Sequence, residues 1–258
     1  MDAAKQRSKD QFGATAEYYV ASTSHAAGDD LPRMLHLAAP VSTDRLLDIA
    51  TGGGNVARVF SPHVAEVVAS DLTPRMLAAA AAAFAKLGLV NVHTAEADAE
   101  ALPFADASFE IVTCRIAPHH FPHPGRFIAE AARVLAPGGR FLLVDTTAPS
   151  GRIGEFWNGF EAARDPSHVR SLPSDEWADL IRASGLDLRS VEPYPKRHVF
   201  ADWVARADVP GDGVAGLLAL LRAAPPEIAE AYALEWDGDA LLAFSDVKTL
   251  FFAQKGVA

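Results

Sequence analysis

Three carboxylates, a glycine run and a group of histidines have types and spacing that could do chemistry. The stretch LLDIATGGGNVARVF, residues 46–60, carries Asp48 near the end of an apolar run and then Gly52, Gly53 and Gly54. Gly52 to Ala57 fits G-x-G-x-x-A, a turn that lets backbone approach a nucleotide-like ligand. By itself this is a weak signal, because a plain tight turn between strand and helix looks the same. Asp71 closes the next apolar run, nineteen positions after Gly52. A carboxylate there can accept both hydroxyls of a ribose. Asp98, in ADAEALPF (97–104), follows the third run and can accept a hydrogen bond from an adenine amino group.

Asp48 discriminates between ligands. A pyrophosphate at a helix N-terminus wants positive potential. A carboxylate ~4–6 Å away would repel it by a few kcal/mol at intermediate dielectric. S-adenosylmethionine has no phosphate and carries an ammonium and a sulfonium. Asp48 suits that ammonium, directly or through water. Asp48 and Asp98 together disfavour a nicotinamide cofactor.

His119, His120 and His123 follow in CRIAPHHFPH, His168 lies in RDPSHVR, and His25 precedes them all. A histidine can remove a proton from a hydroxyl, amine or activated carbon at neutral pH. Three readings stay open for His119 and His120: general base, packing against cofactor or loop, and metal ligand. Their spacing does not match H-E-x-x-H. Asp145 and Asp165 could complete a site only in three dimensions. His168 ranks behind His119 and His120 as a base.

The elements that must position these residues alternate. RLLDIA (45–50), EVVASD (66–71), NVHTAEAD (91–98), FEIVTCRI (109–116) and RFLLVDTT (140–147) read as strands, short apolar runs closed by turn residues. Between them NVARVF, the alanine-rich 74–87 and PGRFIAEAARVLAPGG (124–139) read as helices. Thr73 is placed as N-cap before Pro74, and Gly88 as the residue after the helix. The last helix is expected to stop at Pro137-Gly138-Gly139. This order predicts βαβ units and a mostly parallel sheet. After residue 148 the rhythm changes. Helices are expected at 154–165 and 174–185, the latter capped by Ser174, and then a sixth strand in LDLRSVEPYPKRHVF. Helical pieces fill 200–235, and a last strand at 246–256 returns antiparallel beside the sixth. Trp157, Phe160, Trp177 and Trp203 read mainly as core, with one or two facing an acceptor. Arg197 and His198 read as surface or edge residues. Residues 11–36 are expected as helices over the cofactor, with Phe12, Tyr18 or Tyr19 closing the site.

Composition bounds the class. The 258-residue chain has a formal net charge of −10, which argues against non-specific nucleic-acid binding. The single cysteine, Cys114, sits in an apolar run and reads as core. No apolar segment of a signal peptide follows the first charges, and the alanine-rich helix is short and weakly hydrophobic for a membrane span. The expectation is a cytoplasmic protein with no membrane partner. Only the first ten residues read as candidates for disorder.

LLDIATGGG, ASD (69–71), DAEALPFADASFEIVTCR and EAARVLAPGGRFLLVD together resemble the successive motifs of class I S-adenosylmethionine-dependent methyltransferases, in the UbiE-like (methyltransferase type 11) group. CRIAPHHF, RDPSHVR and the C-terminal strand are similar to a bacterial branch of that group, so the resemblance spans the chain. It implies an α/β, Rossmann-like fold: a seven-stranded, mostly parallel sheet, last strand antiparallel, helices on both faces. Residues 1–40 would be an N-terminal helical lid, 41–148 the cofactor core, and 149–258 a part with acceptor-side helices and the last two strands, all in a single domain. It extends the cofactor set to Asp48, Ala50, Thr51, Gly52, Gly54, Asn55, Asp71, Leu72, Ala97, Asp98, Ala99, Arg115 and Tyr18, with S-adenosylhomocysteine as product and no metal. The group usually has glycine where Ala50 stands and aspartate where Glu110 stands. The Asn/Asp-Pro-Pro-aromatic signature of nucleic-acid amino-methylases is absent after the fourth strand, so a small-molecule acceptor is expected. The rivals are a non-catalytic cofactor-binding regulator or inactive partner subunit, and a nicotinamide-dependent oxidoreductase. Monomer and homodimer both stay open.

Overall fold

The computed structural model describes residues 2–21 and 28–257, with side chains in 14–21 outside the described set. In chain order the elements are α1 (Ala3–Ala21), α2 (Asp30–Ala38), β1 (Arg45–Ile49), α3 (Asn55–Phe60), β2 (Glu66–Asp71), α4 (Pro74–Lys86), β3 (Val92–Glu96), β4 (Phe109–Arg115), α5 (Pro124–Val134) and β5 (Leu135–Thr147). There follow α6 (Arg152–Arg164), α7 (Ser174–Ala183), β6 (Leu186–Val199), α8 (Phe200–Arg206), α9 (Gly211–Arg222), α10 (Pro226–Ala231), β7 (Glu235–Asp237) and β8 (Ala240–Lys255).

The strands form one sheet in the order β3-β2-β1-β4-β5-β8-β6, with β7 paired to β8 off that path. β1 to β5 run parallel, and β8 runs antiparallel to both β5 and β6. Strand residues alternate between two faces, and each face buries a separate core. Leu47, Val112, Cys114, Phe141 and Phe251 meet Phe127, Ile128 and Trp177 of α5 and α7. Leu46, Val67, Ile111, Leu142 and Leu250 meet Leu31, Met34, Val56 and Phe84 of α2, α3 and α4. Each such fully buried side chain contributes about 1.5–3 kcal/mol relative to exposure. A third core gathers Trp157, Phe160, Trp203 and Phe244 under the C-terminal helices.

Five local expectations change. Residues 3–10 are helical, because they begin α1 and Lys5 is anchored by acidic partners. α5 ends at Val134, and β5 already starts at Leu135, running through the Pro-Gly-Gly segment with a register shift between Phe109 and Ile111. A Cβ on Gly139 would lie 2.7 Å from the Ala136 carbonyl, so this tight path needs glycine there. Pro173, not Ser174, stands at the N-cap of α7, and no side chain makes a capping bond there. Thr73 stands at the N-cap of α4, but its side chain makes no capping bond. β8 starts at Ala240, six residues earlier than expected, and turns back on β7 through Gly238, adding an eighth strand. Among the described residues no helix is long and apolar enough to cross a membrane.

Candidate functional site

A cavity of about 1090 Å³, open to solvent, lies at the carboxyl ends of β1, β2 and β4. The βα turns converge there because parallel strands all deliver their C-terminal ends to one edge. Asp48, Ala50, Thr51, Gly52, Asn55, Asp71, Leu72, Ala97, Asp98, Ala99 and Arg115 all line it. Gly54 does not. With φ +77° it turns the chain into α3, and a Cβ there would collide with the Phe84 ring. Tyr18, Tyr19 and His25 lie outside the described residues or side chains.

Asp48 is buried and accepts the Thr51 hydroxyl at 2.6 Å and the Thr113 hydroxyl at 2.9 Å. Burial pushes its carboxyl up to about 6 against those hydrogen bonds. Asp71 accepts the Gly52 N–H at 3.1 Å and the Thr73 N–H at 2.9 Å, so it ties the glycine turn to the second strand. Burial raises its pKa as well. Asp98 differs from the expected open acceptor: Lys5 of α1 donates to both its oxygens at 2.9 and 2.7 Å. Lys5 also pairs with Glu100 at 2.7 Å. Burial would depress the Lys5 pKa, but its hydrogen bonds to Asp98 and Glu100 outweigh that and raise it. Arg115 pairs with buried Asp30 of α2, Nη2 to Oδ1 at 3.1 Å, closing the first cavity's floor.

Ala50 and Ile116 both have positive φ, +53° and +54°. The left-handed conformation costs a non-glycine residue about 1–2 kcal/mol. The cost at Ala50 falls where the resembling group usually has glycine. Ile116, β-branched, is strained at the join between this cavity and the next.

The second cavity, about 730 Å³, lies between the β5-β8-β6 edge and α6 and α8. The two cavities share Phe12, Ile116 and His120. A 3-10 turn over Pro118–His120 presents the histidines. His119 Nδ1 lies 2.6 Å from Asp145 Oδ1. His120 Nδ1 lies 3.1 Å from the Ser167 carbonyl and 3.2 Å from its hydroxyl, which donates to Asp165 at 2.6 Å. A carbonyl only accepts, so this contact assigns the proton of neutral His120 to Nδ1 and leaves a lone pair on Nε2. The backbone N–H groups of Val169 and Arg170 donate to the His119 carbonyl at 2.9 and 3.0 Å, pinning RDPSHVR onto the turn. That brings the His168 ring to 5.7 Å from His119, itself 4.1 Å from His120.

Burial lowers the His119 pKa to about 3 and the His120 pKa to about 4, with neighbouring positive charge adding to it. Burial, then the neighbouring histidines, also lower His168. Burial pushes Asp145 up to about 7 despite nearby Lys248. Burial thus disfavours the charged form of each partner in the Asp145–His119 pair. His123 is half-exposed and stands apart, 3.8 Å from Asp2. Among the described residues no three His, Cys, Asp or Glu side chains are grouped to hold a metal.

Residues 47–143 match the family described as "Methyltransferase domain". The chain is 36% identical to the methyltransferase YcgJ of Bacillus subtilis over 86% of this chain and 88% of that protein. It belongs to this methyltransferase family. The crystal structure of Bacillus subtilis YcgJ superimposes with a TM-score of 0.86, 32% identity, and coverage of 91% of this chain and all of that one. A solved structure from Bacillus halodurans gives 0.86, 37%, 89% and 100%. The demethylmenaquinone methyltransferase of Thermus thermophilus is 40% identical over 45% of this chain and 54% of its own.

In this methyltransferase, sequence reasoning missed most of the second cavity. His198, read as a surface or edge residue, lies on the edge strand β6 but is buried, with Nε2 3.0 Å from Asp246 Oδ1. β6 extends to Val199 beneath α8, and Phe244 stacks on the His198 ring. Arg197, on the opposite face of β6, is exposed and pairs with Glu235. Trp157, Phe160 and Trp177 are core, and Trp203 is core that also lines the cavity. Lys5, Asp30 and Glu100 carried no local signal, since each acts through a partner far along the chain.

Proposed function

We propose that this methyltransferase takes the methyl group of S-adenosylmethionine, leaving S-adenosylhomocysteine, and places it on a small organic acceptor held in the second cavity. The observation that carries this is the meeting of the two cavities at Phe12, Ile116 and His120. The first cavity fits the cofactor: it has no cationic glycine-loop side chain to hold a pyrophosphate, and it offers two carboxylates, buried Asp48 and partly buried Asp71, beside a glycine turn. Asp71 would accept the ribose hydroxyls, Asp48 would face the amino-acid part, and Ala97, Asp98 and Ala99 would edge the adenine. The cofactor supplies an electrophilic methyl group. His120 Nε2 takes the acceptor's proton as the nucleophile attacks, and Asp165, through Ser167, holds the ring in that tautomer. Any hydroxyl, amine or activated carbon freed by proton loss suits this arrangement. His119, backed by Asp145, is the second candidate base.

The acidic net charge and the missing Asn-Pro-Pro signature support a small acceptor over nucleic acid. Isothermal titration tests the cofactor: S-adenosylhomocysteine is expected to bind and NAD not to. Binding of NAD without S-adenosylhomocysteine overturns the reading.

A further inference from the structure

We propose that the second cavity contains an anion subsite centred on Lys196, and that the acceptor is an organic molecule bearing a carboxylate or phosphate. This rests on reading that cavity as the acceptor site. Four cationic side chains line it, Arg164, Lys196, Arg206 and Lys248, together with three carboxylates, Glu161, Asp165 and Asp246. The carboxylates already have partners. Glu161 lies 3.6 Å from Arg164. Asp246 lies 2.7 Å from Lys248 and 3.0 Å from His198. Asp165 accepts the Ser167 N–H and hydroxyl at 2.9 and 2.6 Å.

The cations are satisfied unequally. Lys248 also donates to the Thr146 hydroxyl, and the Arg164 guanidinium sits 4.3 Å from the Trp203 ring centroid. Arg206 touches the His198 ring at 3.3 Å. Lys196 makes no hydrogen bond or ion pair with any described residue. It stands opposite Asp246 in the β6–β8 ladder, but Asp246 Oδ2 is held by Lys248 and Oδ1 faces His198 Nε2 at 3.0 Å. Burial depresses the Lys196 ammonium, Lys248, Arg206 and Arg115 push the same way, and Asp246 opposes them.

A half-buried ammonium among like charges is costly unless an anion completes it. Lysine is a point charge that suits either oxyanion. Trp203, Phe12 and Ile116 supply apolar wall for an organic body between this subsite and His120. A neutral acceptor would leave Lys196 unpaired, so the subsite also selects against neutral analogues.

The test is calorimetric titration at low ionic strength with benzoate, phenyl phosphate and neutral benzamide, with and without S-adenosylhomocysteine. At least one anion is expected to bind about tenfold or more tightly than benzamide, the tighter of the two identifying carboxylate or phosphate as the recognised group. Lys196→Met should weaken that anion by about tenfold or more. Lys196→Arg and the exposed-site control Lys86→Met should retain it, with melting temperatures confirming that each variant folds. Absence of anion binding, equal binding of benzamide, or unchanged binding to Lys196→Met overturns the subsite. If S-adenosylhomocysteine fails to bind while Lys196-dependent anion binding persists, the cofactor reading falls and the subsite stands.

Discussion

Asp71 holds the glycine turn and faces the first cavity with one carboxylate. Asp71→Ala should weaken S-adenosylhomocysteine by about 1–3 kcal/mol, the cost of losing a charged acceptor, as read by calorimetry. Unchanged affinity would remove it from the ribose role. His120→Ala should lower turnover by about 10²–10⁴ while leaving cofactor affinity largely intact. The pH profile separates base from packing. An unperturbed imidazole would lose its free lone pair near 6.5, but burial and His119 lower His120 to about 4. The neutral base is the active form, so its contribution to the rate should hold through pH 6.5 and fall only as pH approaches about 4. A fall centred at 6.5 that disappears in His120→Ala would show a solvated ring. At this scale Asp48, Asp71 and Asp98 were legible from their order after apolar runs. That Asp98 is already held by Lys5 was not, since ninety-three residues separate them.

The strand–turn–helix around Gly54 works because its φ of +77° and the Phe84 ring together exclude a side chain. Gly54→Ala adds left-handed strain of about 1–2 kcal/mol and overpacking of about 1–3 kcal/mol. Chemical denaturation should show a loss of about 2 kcal/mol or more, partly recovered when Phe84→Ala is added. No recovery would place the strain in the backbone alone. α1 has a different dependence. It is anchored to the β3–β4 connection by Lys5 reaching Asp98 and Glu100. Lys5→Ala should therefore speed amide hydrogen exchange in residues 3–12, with α5 and β4 unchanged. Equal protection would show that α1 is held by packing alone. The parallel alternation through β5 was legible because each strand there is a short apolar run between turn residues. The start of β5 inside Leu-Ala-Pro-Gly-Gly was not, because pairing with Phe109 overrides the breaker residues.

Across the whole molecule, buried titratable groups oppose one another. The folded-state pKa values of His119, His120, His168 and His198 are lowered, so between about pH 4.5 and 6.5 the unfolded chain binds protons the folded one does not. Those four lose stability as pH falls through that window. Asp48, Asp71, Asp145 and Glu161 are raised, so the folded chain takes protons the unfolded chain does not, and they gain stability as pH falls. The two sets act in opposite directions as pH falls. Asp145→Asn removes one compensating proton. Its unfolding free energy should fall with pH about 1.4 kcal/mol per unit more steeply than wild type between pH 6 and 4.5. Parallel stability curves would mean that Asp145 stays ionised beside His119.

By itself the sequence determined the parallel α/β core, the glycine turn, the edge where ligands gather and the strand-end carboxylates Asp48, Asp71 and Asp98 that line the first cavity. Those features are local: hydrophobic period, turn chemistry and one polar residue at each strand end. Tertiary structure alone decided the second cavity. Its histidines, Asp165, Asp246, Lys196 and Lys248 come from strands and turns far apart in the chain. The antiparallel register that sets Lys196 against Asp246 and Thr146 against Lys248 places them together. Such a register follows from which faces of β5, β6 and β8 pack against the helices. It leaves no periodic mark at the polar positions, and so the sequence placed His198 at a surface or edge without showing that its ring on the edge strand is buried.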